Sequence, residues 1–398
     1  MILSRKPPKV LAWLVLLSIV ASSLAACGTD RFSAEGWSGM TLEETTLYVG
    51  DGDGRLLSID ADSGALQWRY PEPDDDKQRL GSIYASPAVS DTGIYVASYE
   101  TRSDWCGASG NRGTTPCGRL YALLTTTQNG RTMAHVDWAF PRMDQAAVGP
   151  IIGTPKIADD LVIFGSSDGF VYAVDRTDGT PKWSFETGGG IWSSPTIQEG
   201  RALFGSLDHF VYSLDAATGE QLWKFETNGG ITGEVLTSGK QLYFGSFDRH
   251  LYALHTETGE PIWATPFKGD QWFWAGPVFD GTSLFAATLN GTIYAIDPSN
   301  GQERWSGHVD GAILTPPLTL KDSVVVATDD GYLGQFRKAD GWSEWNPHLG
   351  SDAKIRTPLA ANGDIVYLSD ADQTVRAINL TERRLKGGPG LWEFTTDD

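Results

Sequence analysis

The sequence predicts an all-β chain folded as an eight-bladed β-propeller of four-stranded antiparallel blades. Three observations point there. A nine-residue phrase recurs at forty-residue steps: DRTDGTPKW at 175–183, DAATGEQLW at 215–223 and HTETGEPIW at 255–263. Aligned on that phrase, tryptophans fall at Trp68, Trp138, Trp183, Trp223, Trp263, Trp305, Trp345 and Trp392, at intervals of 40–47 residues after a first interval of 70. A period near ~40 residues with four short strands per unit is the signature of a propeller blade. Finally, no long stretch combines helix formers with a 3.6-residue period, and 46 glycines in 398 residues supply the turns of a strand-rich chain. A chain of this length also exceeds what one ordinary core accommodates.

Residues 192–227 serve as the model blade. WSSPTI (192–197) alternates and is expected to be the innermost strand, followed by ALFGS (202–206), HFVYSLD (209–215) and, outermost, QLWKFET (221–227). Each run is short and bounded by Gly, Asp, Asn or Ser, as hairpin strands are. The recurring phrase is the last hairpin. In six units a glycine stands four residues before the tryptophan: Gly64, Gly179, Gly219, Gly259, Gly301 and Gly341. That position suits a turn with φ > 0, where a Cβ is costly. Asp60, Asp175, Asp215 and Asp297 open the phrase and are suited to accept backbone N–H bonds in the turn; His255 and Arg337 take that place in two units. The tryptophan is expected to bury its ring between adjacent blades, because one blade cannot hide its own faces. The first unit, WSGMTLEETTLYVG (37–50), aligns with WSSPTIQEGRALFG (192–205) without a gap, and the last replaces the compact turn with KGGPG (386–390). Counting gives eight blades over 37–398; a seven-bladed ring with one stray unit is the structural alternative.

The N-terminus stands apart from the repeats. Arg5, Lys6 and Lys9 precede an apolar run from Val10 to Ala26, the form of a secretory signal over residues 1–26. The run ends in LAAC (24–27), which resembles a bacterial lipobox, so Cys27 is expected to carry lipid, with residues 27–36 as a tether to the propeller. A plain signal peptide cut near Ala26, or an uncleaved anchor, are the alternatives. Two or more acyl chains hold a soluble domain stably on a bilayer, and a flexible tether of this length spans about 15–20 Å. Cys106 and Cys117 then remain as a pair in an exported protein and are expected to form a disulfide, free thiols being the alternative. The formal charge of −19 becomes −22 once residues 1–26, with three cations and no acids, are removed. Such a surface repels nucleic-acid phosphates and anionic headgroups, so no nucleic-acid partner is expected and lipid must provide the membrane attachment.

Units such as LFGSLDHFVYSLDAATGEQLW (203–223) resemble the PQQ-type β-propeller repeat, over nearly all of the mature chain. Eight such blades behind a lipobox are similar to the BamB family, lipoprotein scaffolds of the outer-membrane β-barrel assembly machinery. The resemblance implies a non-enzymatic, monomeric scaffold without cofactor, anchored to a bacterial membrane and binding envelope proteins. Gly28 is not the Asp that retains many lipoproteins at the inner membrane, which allows an outer-membrane address; without an outer membrane in the source, the cell surface is expected. The same repeat also occurs in quinoprotein dehydrogenases and extracellular sensor domains. A PQQ-binding oxidoreductase and a ligand- or carbohydrate-binding sensor therefore stay open.

Catalytic and metal signals are weak. GSSDG (165–169) matches G-x-S-x-G around Ser167, but two strands flank it where a nucleophile elbow needs a strand and a helix. DGDG (51–54) and TDDG (328–331) align with the same hairpin and lack the further ligands of a calcium loop, and PEPDDDK (71–77) reads as a solvated linker. No Cys/His cluster has metal spacing, so no metal site is expected. Quinoprotein dehydrogenases carry an adjacent Cys–Cys pair against the quinone, whereas Cys106 and Cys117 lie eleven apart. What remains is surface. Positions matching Trp192 on the innermost strands are read as Trp37, Tyr84, Ile152, Thr232, Trp274, Leu314 and Ile355, with Arg356 beside this ring and Trp272 on the same strand face as Trp274. Trp37, Tyr84, Trp192, Trp272, Trp274 and Arg356 are thus funnel candidates for peptide or sugar recognition, against the plainer reading that they plug the axis. The insertion 99–118, with its cysteine pair and Trp105, is expected between the second and third strands of the second blade.

Overall fold

The computed structural model describes residues 37–73, 75, 78–100, 106, 116–142, 145–350, 353–382 and 391–396. The signal segment, Cys27 and the tether lie outside the described residues, as do the side chain of Trp37 and most of the insertion with Trp105. Eight four-stranded antiparallel sheets follow one another along the chain, at 37–70, 88–140, 156–186, 196–226, 236–268, 278–308, 318–345 and 360–395. Within each sheet the strands keep sequence order, so each blade is a meander. The first strands of neighbouring blades touch around an axis, and the first blade meets the eighth. The ring is closed and has eight blades, which removes the seven-bladed alternative.

The core of this fold is its seams. Among the described residues, eight hydrophobic clusters each join two adjacent blades. The two-residue strand period explains this: Phe204 of blade 4 enters the seam with blade 3, while its neighbour Leu203 enters the seam with blade 5. Middle strands are consequently buried on both faces and read as near-continuous apolar runs such as ALFG, all buried. Leu47, Val49 and Ile59 of blade 1 pack with Tyr367 and Val375 of blade 8 in the closing seam.

The recurring phrase builds the seams from two halves. The indole N–H of Trp183 donates to Ala216 O of the next blade (3.1 Å), Trp223 to Thr256 O (3.0 Å) and Trp263 to Pro298 O (2.9 Å). Trp138 donates to Arg176 O (3.1 Å) and Trp305 to Lys338 O (2.8 Å), and Trp392 closes the ring on Ala61 O (3.0 Å). Each of these rings lies on the glycine of the next blade's turn. A Cβ on Gly219 would come within 2.6 Å of the Trp183 ring, and one on Gly64 within 2.5 Å of Trp392. Gly219 has φ +75°, so the turn needs glycine for its backbone and the neighbour's indole needs it for space. Asp215 accepts from the N–H of Thr218 (2.9 Å), and Asp175 from that of Thr177 (2.9 Å). The side-chain and backbone hydrogen bonds from Thr177, with Lys182 behind them, hold the Asp175 carboxyl down at about 2.

Two expectations need correction. WSSPTI is not one strand: the innermost strand is only Thr196–Gln198. The preceding residues use their polar groups elsewhere, because Ile191 N–H donates to Ser166 O (3.0 Å), and Ser193 Oγ bridges Gly205 O (2.8 Å) and N–H (3.0 Å). The tryptophans are also not equivalent. Trp68 is buried in the seam with blade 2 and Trp345 packs in the seam with blade 8, yet among the described residues neither indole N–H bonds to the next blade. Blade 2 lacks the glycine turn and runs instead through the long hairpin of Cys117–Gln128 and Arg131–Phe140.

Candidate functional site on the propeller axis

By position along the innermost segments, the residues lining the axis group into three layers. The first layer holds Tyr84, Ile152, Trp192, Thr232, Trp274 and Leu314, with Arg356 from blade 8. The sequence reading was one residue out in that blade: Ile355 is fully buried in the seam between blades 7 and 8, and Arg356 holds the register of Trp192. The second layer is small (Ser86, Thr154, Ser194, Gly276, Pro316 and Pro358) except for Glu234. The third includes Lys156 and Ala360. Together they enclose a chamber of about 590 Å³, to which all eight blades contribute. Glycines let the innermost segments approach so closely: a Cβ on Gly276 would sit 2.2 Å from Glu234 O of the neighbouring blade.

The chamber's charges are paired across blades. Lys156 Nζ lies 2.8 Å from Glu234 Oε1, linking blades 3 and 5 across blade 4. Both are partly solvated, so the pair adds geometry more than stability. Arg356 is held by both carboxylate oxygens of Asp329, from the second hairpin of blade 7.

An aromatic run leads out of the chamber. Trp192 and Trp274, from blades 4 and 6, approach to 6.2 Å. Trp274 stacks on Phe247 (5.5 Å, 25°), and Phe247 stacks on Trp272 (5.2 Å, 21°). Trp272 is 39% exposed and does not line the chamber. The strand period used to place it with Trp274 does not hold there, because residues 272–276 are not strand. Phe247 was missed as a site residue, although its hairpin position, occupied by Ser167, Leu207 and Leu289 in other blades, was visible in the repeat. Lys156, Glu234 and Asp329 were missed as well. Lys156 follows from stepping four residues beyond the aligned ring, and Glu234 from stepping two.

In blades 3, 4 and 5 the incoming axial segment is anchored by an acid in the second hairpin. Asp208 accepts from Phe210 N–H (3.0 Å), Gly188 N–H (2.7 Å) and the Tyr212 hydroxyl (2.7 Å); Asp168 and Asp248 do the same in blades 3 and 5. Burial and the adjacent carboxylate push the Tyr212 hydroxyl well above its usual range, so it stays a donor. In blade 6 the acid has moved to the incoming segment. Asp270, two residues before Trp272, accepts from Asn290 (2.8 Å), Thr292 (2.7 Å) and Thr288 (2.9 Å). Burial works against its charge, but these three donors hold the Asp270 carboxyl below its ordinary value. Blade 2's second strand ends at Glu100 and its third begins at Cys117, which is bonded to Cys106. Among the described residues no three His, Cys, Asp or Glu side chains converge as metal ligands.

Comparison with known proteins fits this architecture. The family model described as "Outer membrane protein assembly factor BamB" matches residues 33–116, 123–206, 207–273 and 259–397. Proteins of that name from Alkalilimnicola ehrlichii and Burkholderia pseudomallei are each 28% identical, over 108 and 98 residues. These alignments cover 27% and 24% of this chain and 28% and 26% of the relatives, about a quarter of their length. Among solved structures, BamB from Moraxella catarrhalis superposes with a TM-score of 0.65 at 17% identity, covering 85% of this chain and 92% of that one. The computationally designed Ika8 protein superposes equally well, with a TM-score of 0.65 at 17% identity, 87% of this chain and 96% of that one. A designed protein sharing the architecture makes the structural likeness a statement about fold. The family match runs through every blade, and the chain belongs to the family of outer membrane protein assembly factor BamB.

Proposed function

We propose that the protein is a non-enzymatic scaffold of the bacterial cell envelope, exported, held to the membrane by lipid on Cys27, and acting as a monomer that binds partner proteins during outer-membrane protein assembly. The observation that carries this is the family match over the whole propeller, since that family is one of assembly factors. The architecture is consistent with it: a closed wheel carries the Cys106–Cys117 disulfide and the exposed ring of Trp272. A quinone cofactor fits the chamber poorly. A tricarboxylate needs cations to receive it, and both cations of the chamber already hold carboxylates, Lys156 with Glu234 and Arg356 with Asp329. Crosslinking in intact cells followed by partner identification tests the reading. Recovery of a specific envelope assembly partner, lost when Cys27→Ser releases the protein from membranes, supports it; a soluble wild-type protein with no envelope partner contradicts it.

A further inference from the structure

Beyond partner binding, we propose that the axial chamber is a binding site for an uncharged, hydroxyl-rich ligand, a short neutral oligosaccharide. Its volume of about 590 Å³ falls in the ~300–1,000 Å³ range of small-molecule sites. The chemistry of its lining then narrows the class. An anion drawn to Lys156 or Arg356 would meet the carboxylate of Glu234 or Asp329 that already neutralises that cation. A cation meets the same obstacle from the other side, since Glu234 is already answered by Lys156. A purely apolar ligand would strip water from that ion pair and from the hydroxyl groups of Thr154 and Ser194 without replacing the hydrogen bonds. A neutral polyol meets none of these penalties. Its hydroxyls both donate and accept, so they can bridge the ammonium and carboxylate of the Lys156–Glu234 pair while leaving it intact. Its C–H faces suit the rings of Trp192 and Trp274, which line the same chamber.

Isothermal titration and intrinsic tryptophan fluorescence on the full-length protein test this, with cellotriose, maltotriose and tri-N-acetylchitotriose as probes and trialanine and citrate as comparators. At least one trisaccharide is expected to bind at one site with a dissociation constant below about 1 mM and to change the tryptophan emission. Trp192→Ala and Glu234→Gln should each weaken it at least tenfold. Trp342→Ala should leave it unchanged, because Trp342 is 67% exposed and does not line the chamber. Glu234→Gln keeps the size of a partly exposed side chain, so the test survives if Trp192→Ala fails to fold. Absence of saturable binding by all three sugars overturns the proposal, as does sugar binding that survives Glu234→Gln, or binding of citrate or trialanine alone. Partner capture in cells is a separate readout, so either conclusion can fail without the other.

Discussion

Six seams of the ring join blades by an indole laid on a glycine; the seams between blades 1 and 2 and between blades 7 and 8 do not. The six share one construction, from Trp138 on Gly179 to Trp392 on Gly64. At the other two, local inventions replace it. Between blades 1 and 2, Ser82 Oγ donates to Gly52 O (2.9 Å), and Arg131 pairs with Glu72 (2.6 Å). Between blades 7 and 8, Arg356 reaches Asp329. The blades flanking closure differ in a second respect. The buried Ser166, Ser206 and Ser246 at the start of the second hairpin become Asp51 in blade 1 and Asp370 in blade 8, each paired with an arginine, Arg55 and Arg376. The repeated phrase therefore encodes a junction, with the tryptophan serving one interface and the glycine the other. A blade that loses its glycine turn deprives its predecessor's tryptophan of a seat.

Substitutions separate the two kinds of seam. The largest effect is expected from Trp263→Ala, which empties a site only 4% exposed and should cost about 3–5 kcal/mol in chemical denaturation. The half-buried Trp345, without an indole bond, should cost about half that on the same change; equal losses would erase the distinction between the seams. Replacing both Cys106 and Cys117 with serine opens the link across eleven positions and should cost about 2–3 kcal/mol, with hydrogen exchange rising in blade 2 rather than around the ring.

Asp51 gives a pH test of the closing seam. Burial pushes its carboxyl up to about 6, against the pull of Arg55. A folded value above the unfolded one means that the native state binds the extra proton, so this contribution to stability is complete below about pH 4 and is lost as pH rises through 6. Asp51→Asn should therefore raise stability at pH 7.5 by about 1–2 kcal/mol and flatten the profile between pH 4 and 6, followed by thermal unfolding across that range. No change in slope would show that Asp51 is not the group responsible. The smallest effect isolates the indole bond. Trp305→Phe removes the donor to Lys338 O and should cost about 1 kcal/mol more than Trp68→Phe, measured by the same denaturation curves.

Much of this architecture was legible in the chain itself. The repeat period located the seam tryptophans, because a docking interface repeated around a ring imposes the same residues each time; in blade 5 the outer strand is only Phe267–Lys268, beyond Trp263. The turn role of glycine was also legible; that its missing side chain makes room for the preceding blade's indole was not, since the two residues lie in different repeats. The innermost segments read less well. Ser193, with Ser38 and Thr357 in blades 1 and 8, bonds across a hairpin instead of extending a ladder, so alternation overstated the strand and misplaced Trp272. The one-residue slip at Ile355 came from a unit whose axial residue is an arginine among aromatics. The Lys156–Glu234 pair was hidden because it skips a blade: nothing in a nearest-neighbour repeat reports on residues two units apart that meet at the axis.

The wheel closes by the same junction that builds it. Hydrogen exchange of the tryptophan indole N–H groups, followed by NMR on protein labelled with nitrogen-15 at tryptophan, tests it most directly. Trp392 should be protected to the same degree as Trp183, Trp223 and Trp263, while Trp345 and the exposed Trp342 exchange faster. If Trp392 exchanges as fast as Trp342 while the internal seams stay protected, the ring is open between its first and last blades and the account is wrong.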